Sequence, residues 1–289
     1  MKQSTFNNRY LPYILLSPTF FILVVFLFYP AYETFRLSLF KVHPFTSAEK
    51  FAGFYNFGKI FTNADYLQSF VISLVFALAV VLVGLFLSLM IALLLNQNVK
   101  GARYYRSFLI WPYALSPAIA GALFNFLFNP ANGVINFFTG VKTWLTSGET
   151  ALLILVMAAV WKNLGYNIVF YLTGLRNVPR DALEAAAIDG AGPVRRFVSI
   201  TFAFLSPMTF FLLVMNTTYA YFATFGLIDV LTEGGPAGST NILIYQLYKD
   251  FFVNSRIGYA AAESLILFLL VVGITLIQFR TTEKKVHYQ

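Results

Sequence analysis

The chain has 289 residues, of which 58% are hydrophobic and only 11% charged, and its mean hydropathy is +0.71. Soluble domains carry about 25% charged residues, so a water-soluble globule is excluded and a bilayer is the expected solvent. The net charge of +8 does not indicate nucleic acid, because the basic residues fall in short loops between apolar runs, and the absence of cysteine excludes a disulfide frame, a thiolate metal site and a thiol nucleophile.

Hydropathy predicts an all-α membrane protein with six spans filling one domain over 1–289. The first covers about 11–35, "LPYILLSPTFFILVVFLFYPAYETF". Its apolar core, Leu11 to Tyr29, is too long for a signal-peptide core and lacks a small-x-small cleavage site, so it reads as a retained helix. The second covers about 70–95, the third 107–128 and the fourth 150–174. The fifth covers about 203–231 and the sixth 258–279. The third and fifth contain proline and polar groups, which suit a cavity wall better than a lipid face.

These spans sort the basic residues. One side collects Lys2, Arg9, Lys100, Arg103, Arg106, Arg176, Arg180, Arg195, Arg196, Arg280, Lys284 and Lys285. The other holds only Arg36, Lys41, Lys50, Lys59, Lys142, Lys249 and Arg256. The positive-inside rule therefore puts both termini, and the loop 176–196 between spans four and five, in the cytoplasm.

That loop reads "RNVPRDALEAAAIDGAGPVRR". Asn177 can cap a helix and Pro179 suits a first turn. Leu183 through Ile188 are helix formers or small, and Gly190, Gly192 and Pro193 end the run. A helix of about three turns is expected. Its alanines let another backbone approach closely. Both an interface helix and a plain amphipathic connector on the membrane fit these residues.

"EAA" at 184–186, Gly190 three residues after Ala187, and Ile200 ten further on together resemble the signature loop of permease subunits of binding-protein-dependent ABC importers. The likeness extends through "NRYLPYILLSP", "WPYALSPAIAGALFNFLFNP", "YNIVFYLTGLRNVPRDALEAAAIDGAGPVRRF" and "FRTTEKKVHYQ". It falls within the carbohydrate-importer group that includes maltose permeases, and is strongest to glycerol-3-phosphate importers. The family pattern ends in Ile-x-Leu-Pro, whereas this chain has Phe202 and Ala203 at the last two places, with Pro207 nearby. The resemblance implies the type I ABC importer permease fold in a bacterial inner membrane. It implies that Glu184, Ala185, Ala186, Ala187, Asp189 and Gly190 couple to an ATPase. The implied partners are a second permease, two ATPase subunits and an extracytoplasmic solute-binding protein, besides membrane lipid. The implied solute is glycerol-3-phosphate or a related sugar or polyol. The chain has no G-x-x-x-x-G-K-[ST] loop, so ATP and Mg are expected on the separate ATPase and no cofactor on this chain.

For the solute path, Thr217, Tyr221 and Thr224 are spaced to share one helical face. The resemblance sets them, with Leu164, Gly165 and Ile168, at site-lining positions of the maltose permeases. Interhelical hydrogen bonding is the alternative for the hydroxyls. Lys162 falls about mid-membrane, where an ammonium needs an anion: either a phosphate-bearing solute or a structural carboxylate such as Glu263 or Asp229. "LTEGGP" at 231–236 is expected as a tight outer turn, either touching the solute-binding protein or forming an ordinary loop.

Two other functions are weighed. An intramembrane enzyme would need a nucleophile with a base or a metal, but the only histidines, His43 and His287, lie outside the spans. A secondary transporter coupled to an ion gradient would need intramembrane carboxylates, and Glu263 is the lone candidate.

Overall fold

A computed structural model describes residues 10–44, 46, 48–97 and 101–282, without the side chains at 102, 103 and 282. Of the residues used above, Lys2, Arg9, Lys100, Lys284, Lys285 and His287 lie outside the described ones. Among the described residues, five helices are long and apolar enough to cross a membrane: Leu11–Ser38, Ala64–Asn96, Gly148–Arg176, Pro193–Ala223 and Ile257–Thr281. A bent pair, Tyr104–Ala114 and Pro117–Phe128, meets at 103° and supplies the sixth span when counted as one.

The breaks follow from local chemistry. Span two starts where the Asn63 side chain accepts from the Asp65 backbone N–H at 2.9 Å. Span three is not the straight rod that hydropathy suggests. Ser116 precedes Pro117, a position that disfavours the helical region, and it adopts φ −66°, ψ 153°. Its hydroxyl oxygen then accepts from the Ile119 N–H at 3.2 Å and starts a new helix. Span five begins ten residues before the expected Ala203, with Gly192 as cap and Pro193 in the first turn. It ends at Ala223, and 225–231 form the separate helix Phe225–Leu231. Two π-helical turns interrupt span five, Phe197–Thr201 and Tyr219–Ala223. Pro207 also sits inside it and deprives the Ala203 carbonyl of its usual amide; the Ser206 hydroxyl donates to that carbonyl instead, at 2.7 Å.

The chain forms two compact units, Met1–Thr62 with Leu247–Ile266, and Asn63–Gln246 with Leu267–Gln289. In the first, a two-stranded antiparallel hairpin, Phe40–Val42 against Glu49–Phe51, follows the Leu11–Ser38 helix with Phe40 opposite Phe51. Arg36 holds both Glu33 and Glu49. The Asn56 amide donates to the carbonyls of Ser38 and Phe40 at 2.8 and 2.9 Å, fixing the helix–hairpin junction. Glu263 is buried beside Asp250, which pairs with Arg256.

The second unit is built on the packing of spans two, four and five. Val81, Leu85, Ala92 and Leu95 meet Ile168, Tyr171, Leu172 and Leu175, and Leu205 and Leu212 close the cluster. A polar knot crosses this core. The fully buried Asn216 of span five accepts from the amides of Asn163 and Asn167 in span four at 2.8 and 3.0 Å. Its own amide donates to Asn167 Oδ1 at 2.8 Å and to the Leu212 carbonyl at 2.8 Å.

Candidate functional site

The loop between spans four and five folds as a helix, Arg180–Ile188, of nine residues. It starts later than Asn177 suggests, because Asn177 instead ends span four and Pro179 takes the capping place, extended at φ −65°, ψ 127°. Its other end is built from glycine. Gly190 adopts φ +80°, a left-handed conformation costly for other residues. The Gly190 N–H donates to the Ala187 carbonyl at 3.1 Å and the Ala191 N–H to the Ala186 carbonyl at 2.9 Å. Those two bonds are a Schellman closure of the helix.

No residue of this helix is buried. Glu184, Ala185, Ala187, Asp189 and Gly190 are exposed, and Ala186 is half-buried. Ile188 is 87% exposed and Val194, across the glycine turn, 77%. A Cβ placed on Gly190 or Gly192 would meet nothing within 4 Å. The loop therefore presents small side chains, two bare aliphatic groups and flanking arginines as one uncovered surface.

The proposed path residues separate onto different faces. Thr217, Tyr221 and Thr224 are all buried. Thr217 and Tyr221 turn toward a largely apolar crevice of 270 Å³ with Leu78 and Val81 of span two and Gln278 of span six. The Gln278 amide donates to the Thr217 hydroxyl oxygen at 2.8 Å, and the Thr224 hydroxyl donates to its own helix at Ala220 O. Ile168 belongs to the core and Leu164 packs against it. Gly165 is a contact point between spans: a Cβ there would stand 2.6 Å from the Leu109 carbonyl oxygen and 2.7 Å from Ile110 Cα.

Lys162 faces elsewhere. It lines a cavity of 460 Å³ together with Tyr113, Asn163, Tyr166, Thr218 and Tyr219. Its residue is only 7% exposed, and among the described residues it takes part in no ion pair; Asp229 does not pair with it. Its ammonium sits 5.6 Å from the Tyr113 ring centre and 5.9 Å from that of Tyr219, within cation–π range of both. Tyr113 stacks on Tyr166 at 5.3 Å, and Tyr166 leans on Phe170 at 4.7 Å. The Tyr219 hydroxyl donates to the Ala159 carbonyl, which fixes that ring. The second π turn of span five, Tyr219–Ala223, forms part of the cavity wall.

Sequence reasoning passed over Tyr113 and Tyr166, and it placed Thr218 and Tyr219 among the polar residues of span five but behind Thr217, Tyr221 and Thr224. A signal for them exists: Tyr166 is one turn from Lys162, and Phe211, Met215, Thr218 and Phe222, all exposed, repeat at helical spacing opposite the buried Thr217 face. The "LTEGGP" segment does form a tight turn, with the Gly235 N–H donating to the Thr232 carbonyl at 2.8 Å and the Thr240 hydroxyl to the Gly235 carbonyl at 2.6 Å.

Residues 84–284 match the family described as "Binding-protein-dependent transport system inner membrane component". The chain is 42% identical over 292 residues to the permease protein UgpA of the sn-glycerol-3-phosphate transport system of Rhizobium meliloti, covering 100% of both chains. It is 43% identical to the protein of the same name from Pectobacterium atrosepticum, covering 98% of each. Among solved structures, a bacterial ABC transporter involved in the import of the acidic polysaccharide alginate matches with a TM-score of 0.82 at 21% identity. That match covers 95% of this chain and 96% of the other. A second alginate transporter structure, in complex with a periplasmic protein carrying an alginate pentasaccharide, matches at 0.81.

Proposed function

Since the chain belongs to the family of binding-protein-dependent transport system inner membrane components and is an integral membrane permease subunit of an ABC importer rather than an enzyme, we propose that its solute is sn-glycerol-3-phosphate or a closely related phosphorylated polyol. The single observation that carries the solute is the identity of 42–43%, along essentially the whole chain, with permeases named for sn-glycerol-3-phosphate transport. The working assembly would contain a second permease and two ATPase subunits that consume ATP with Mg, with a soluble receptor delivering the solute outside. Both termini and the Arg180–Ile188 helix would face the cytoplasm, as the distribution of lysine and arginine supports.

Glu184, Ala185, Ala186, Ala187, Asp189 and Gly190 would then be the grip of the ATPase on this subunit. What supports this is a helix with no buried residue, closed by an open glycine turn and bearing the bare Ile188 and Val194. The solute would cross along spans four and five, beside Lys162. Thr217, Tyr221, Thr224, Leu164, Gly165 and Ile168 would shape that path from behind, as packing for the wall.

The test is uptake of radiolabelled sn-glycerol-3-phosphate into proteoliposomes holding this chain, its partner permease, the ATPase and the receptor. Uptake is expected to require ATP and to be lost in the Ala185→Arg/Ala187→Arg variant, which alters two exposed helical positions, while the melting temperature of the assembly stays unchanged. Flux through this chain alone, without ATP, would instead indicate a gradient-driven carrier. Full uptake by the variant would sink the coupling assignment.

A further inference from the structure

A lysine that is 7% exposed, in a spanning helix, without an ion pair among the described residues, leaves a charge uncompensated in a low-dielectric setting. Such a charge is costly unless something anionic meets it. The two tyrosine faces at 5.6 and 5.9 Å help to hold the ammonium but bring no negative charge. The ammonium opens into a 460 Å³ cavity, ample for a phosphate ester of a three-carbon polyol. Tyr113 and Tyr166 both line that cavity, and neither hydroxyl has a hydrogen-bond partner among the described residues. Asn163 gives one of its two amide N–H groups to Asn216, and the Thr218 hydroxyl donates to the Val214 carbonyl. The donors lining the cavity thus include one ammonium and two phenols, a set that suits an oxyanion.

We propose that Lys162, flanked by Tyr113 and Tyr219 and assisted by the hydroxyls of Tyr113 and Tyr166, is a phosphate-recognition site in the wall of the solute path. This deepens, and rests on, the assignment of the chain as a permease for a phosphorylated polyol. It also selects one face of span five: Thr218 and Tyr219 belong to the solute wall, whereas Thr217, Tyr221 and Thr224 belong to helix packing. The phosphate takes the place of the missing carboxylate. The aromatic faces keep water from the ammonium and orient it while the site is empty. Because the charge is fixed in the membrane interior, the site favours an anionic passenger over its neutral parent alcohol.

Two measurements on the intact assembly separate this site from the broader solute assignment. The first is acetylation of Lys162 by acetic anhydride, followed by peptide mass spectrometry, with Lys249 as the internal reference. sn-Glycerol-3-phosphate and inorganic phosphate are each expected to slow Lys162 labelling, while glycerol leaves it unchanged. Labelling of Lys162 indifferent to phosphate compounds would overturn the site, and so would a Lys162 that labels in the isolated chain but is blocked in the empty assembly, since a partner carboxylate would then be its counter-ion. The second is concentration-dependent uptake by the Lys162→Met and Lys162→Arg variants. Removing a charge-assisted contact should weaken apparent affinity by about tenfold or more in Lys162→Met, with Lys162→Arg recovering part of it. Unchanged apparent affinity in Lys162→Met would also overturn the site. If the wild type does not take up sn-glycerol-3-phosphate but phosphate protects Lys162, the anion site stands and the named solute fails.

Discussion

Replacing Asn216 with leucine tests whether the polar knot in the core holds spans four and five as one body. The wild-type side chain is fully buried and makes three hydrogen bonds across the helix–helix contact, to Asn163 and twice to Asn167. Bonds of this kind inside a membrane are worth on average about 0.6 kcal/mol each. Losing three gives about 2 kcal/mol by that measure, consistent with the roughly 1–3 kcal/mol for stranding a buried polar group. For a chain of this size that corresponds to a fall of roughly 4–8 °C in melting temperature, readable from the purified assembly in detergent by intrinsic fluorescence. A control sharpens the test. Changing Asn163, Asn167 and Asn216 together to leucine removes every stranded partner, and replacing both sides of a hydrogen bond with apolar groups is close to neutral. The triple variant should therefore melt above the single one. If Asn216→Leu melts within about 1 °C of wild type, or the triple variant melts lowest, the knot is not what joins these helices.

Three further outcomes follow from the same geometry. Gly165→Val sets a side chain against the backbone at Leu109 and Ile110, and overpacking of this sort costs about 1–3 kcal/mol; a matching drop in melting temperature is expected, and none would mean that the first half of span three yields freely. The Arg36 guanidinium hydrogen-bonded to Glu49 holds that carboxyl below its usual range. A depressed acid stabilises above its unfolded pKa, roughly 4.3, and that contribution is lost as pH falls through the lower folded value. Protection of the strand amides at 40–42 and 49–51, taken relative to the intrinsic exchange rate at each pH, should thus hold at neutral pH and fall only below roughly pH 4, with Glu49→Gln weakening this dependence; a transition near pH 6 would contradict the pairing. Pro207→Ala restores the amide missing opposite the Ala203 carbonyl, so the assembly should melt higher while uptake per ATP hydrolysed falls if bending at this point is used. Unaltered melting would show that the Ser206 hydroxyl already compensates in full.

The membrane class, the positions of spans one, two, four and six and the loop helix were legible in the sequence because each rests on a local signal: a run of apolar residues long enough for the bilayer, or small residues bounded by glycine and proline. The bend in span three was written in "LSP" at 115–117, yet hydropathy averages over that break, since both halves are apolar. The early start of span five was hidden for the opposite reason: Arg195 and Arg196 depress hydropathy although Pro193 starts the helix. The path was harder to read. Thr217 and Tyr221 line one crevice, but Thr224 lies past the end of span five, after the π turn at Tyr219–Ala223, and periodicity cannot say which face looks into the protein's own core. Lys162 was identifiable from its charge alone. Its aromatic neighbours come from spans three, four and five, and only tertiary packing brings them together.

Span five runs from the exposed loop to the lysine cavity. Its first turn follows the exposed glycine loop directly, and its last, π-helical turn forms part of the lysine cavity wall. A helix of this length reaches roughly 45 Å, so a pull on the loop is carried to the cavity by one element, without a relay of loosely packed side chains. Its compliance is not uniform. The π turn at Phe197–Thr201 and the proline at 207 lie in the half nearer the loop, whereas Asn216 ties the other half to span four. Bending is therefore expected between the loop and Asn216, and the segment beyond it should move together with Lys162. A motion shared in this way would open or close the proposed path at the helix ends while leaving the distance between Lys162 and Tyr219 nearly constant. Anion recognition would then survive the change of access, which is what a carrier needs if its passenger is to remain held until the far side opens.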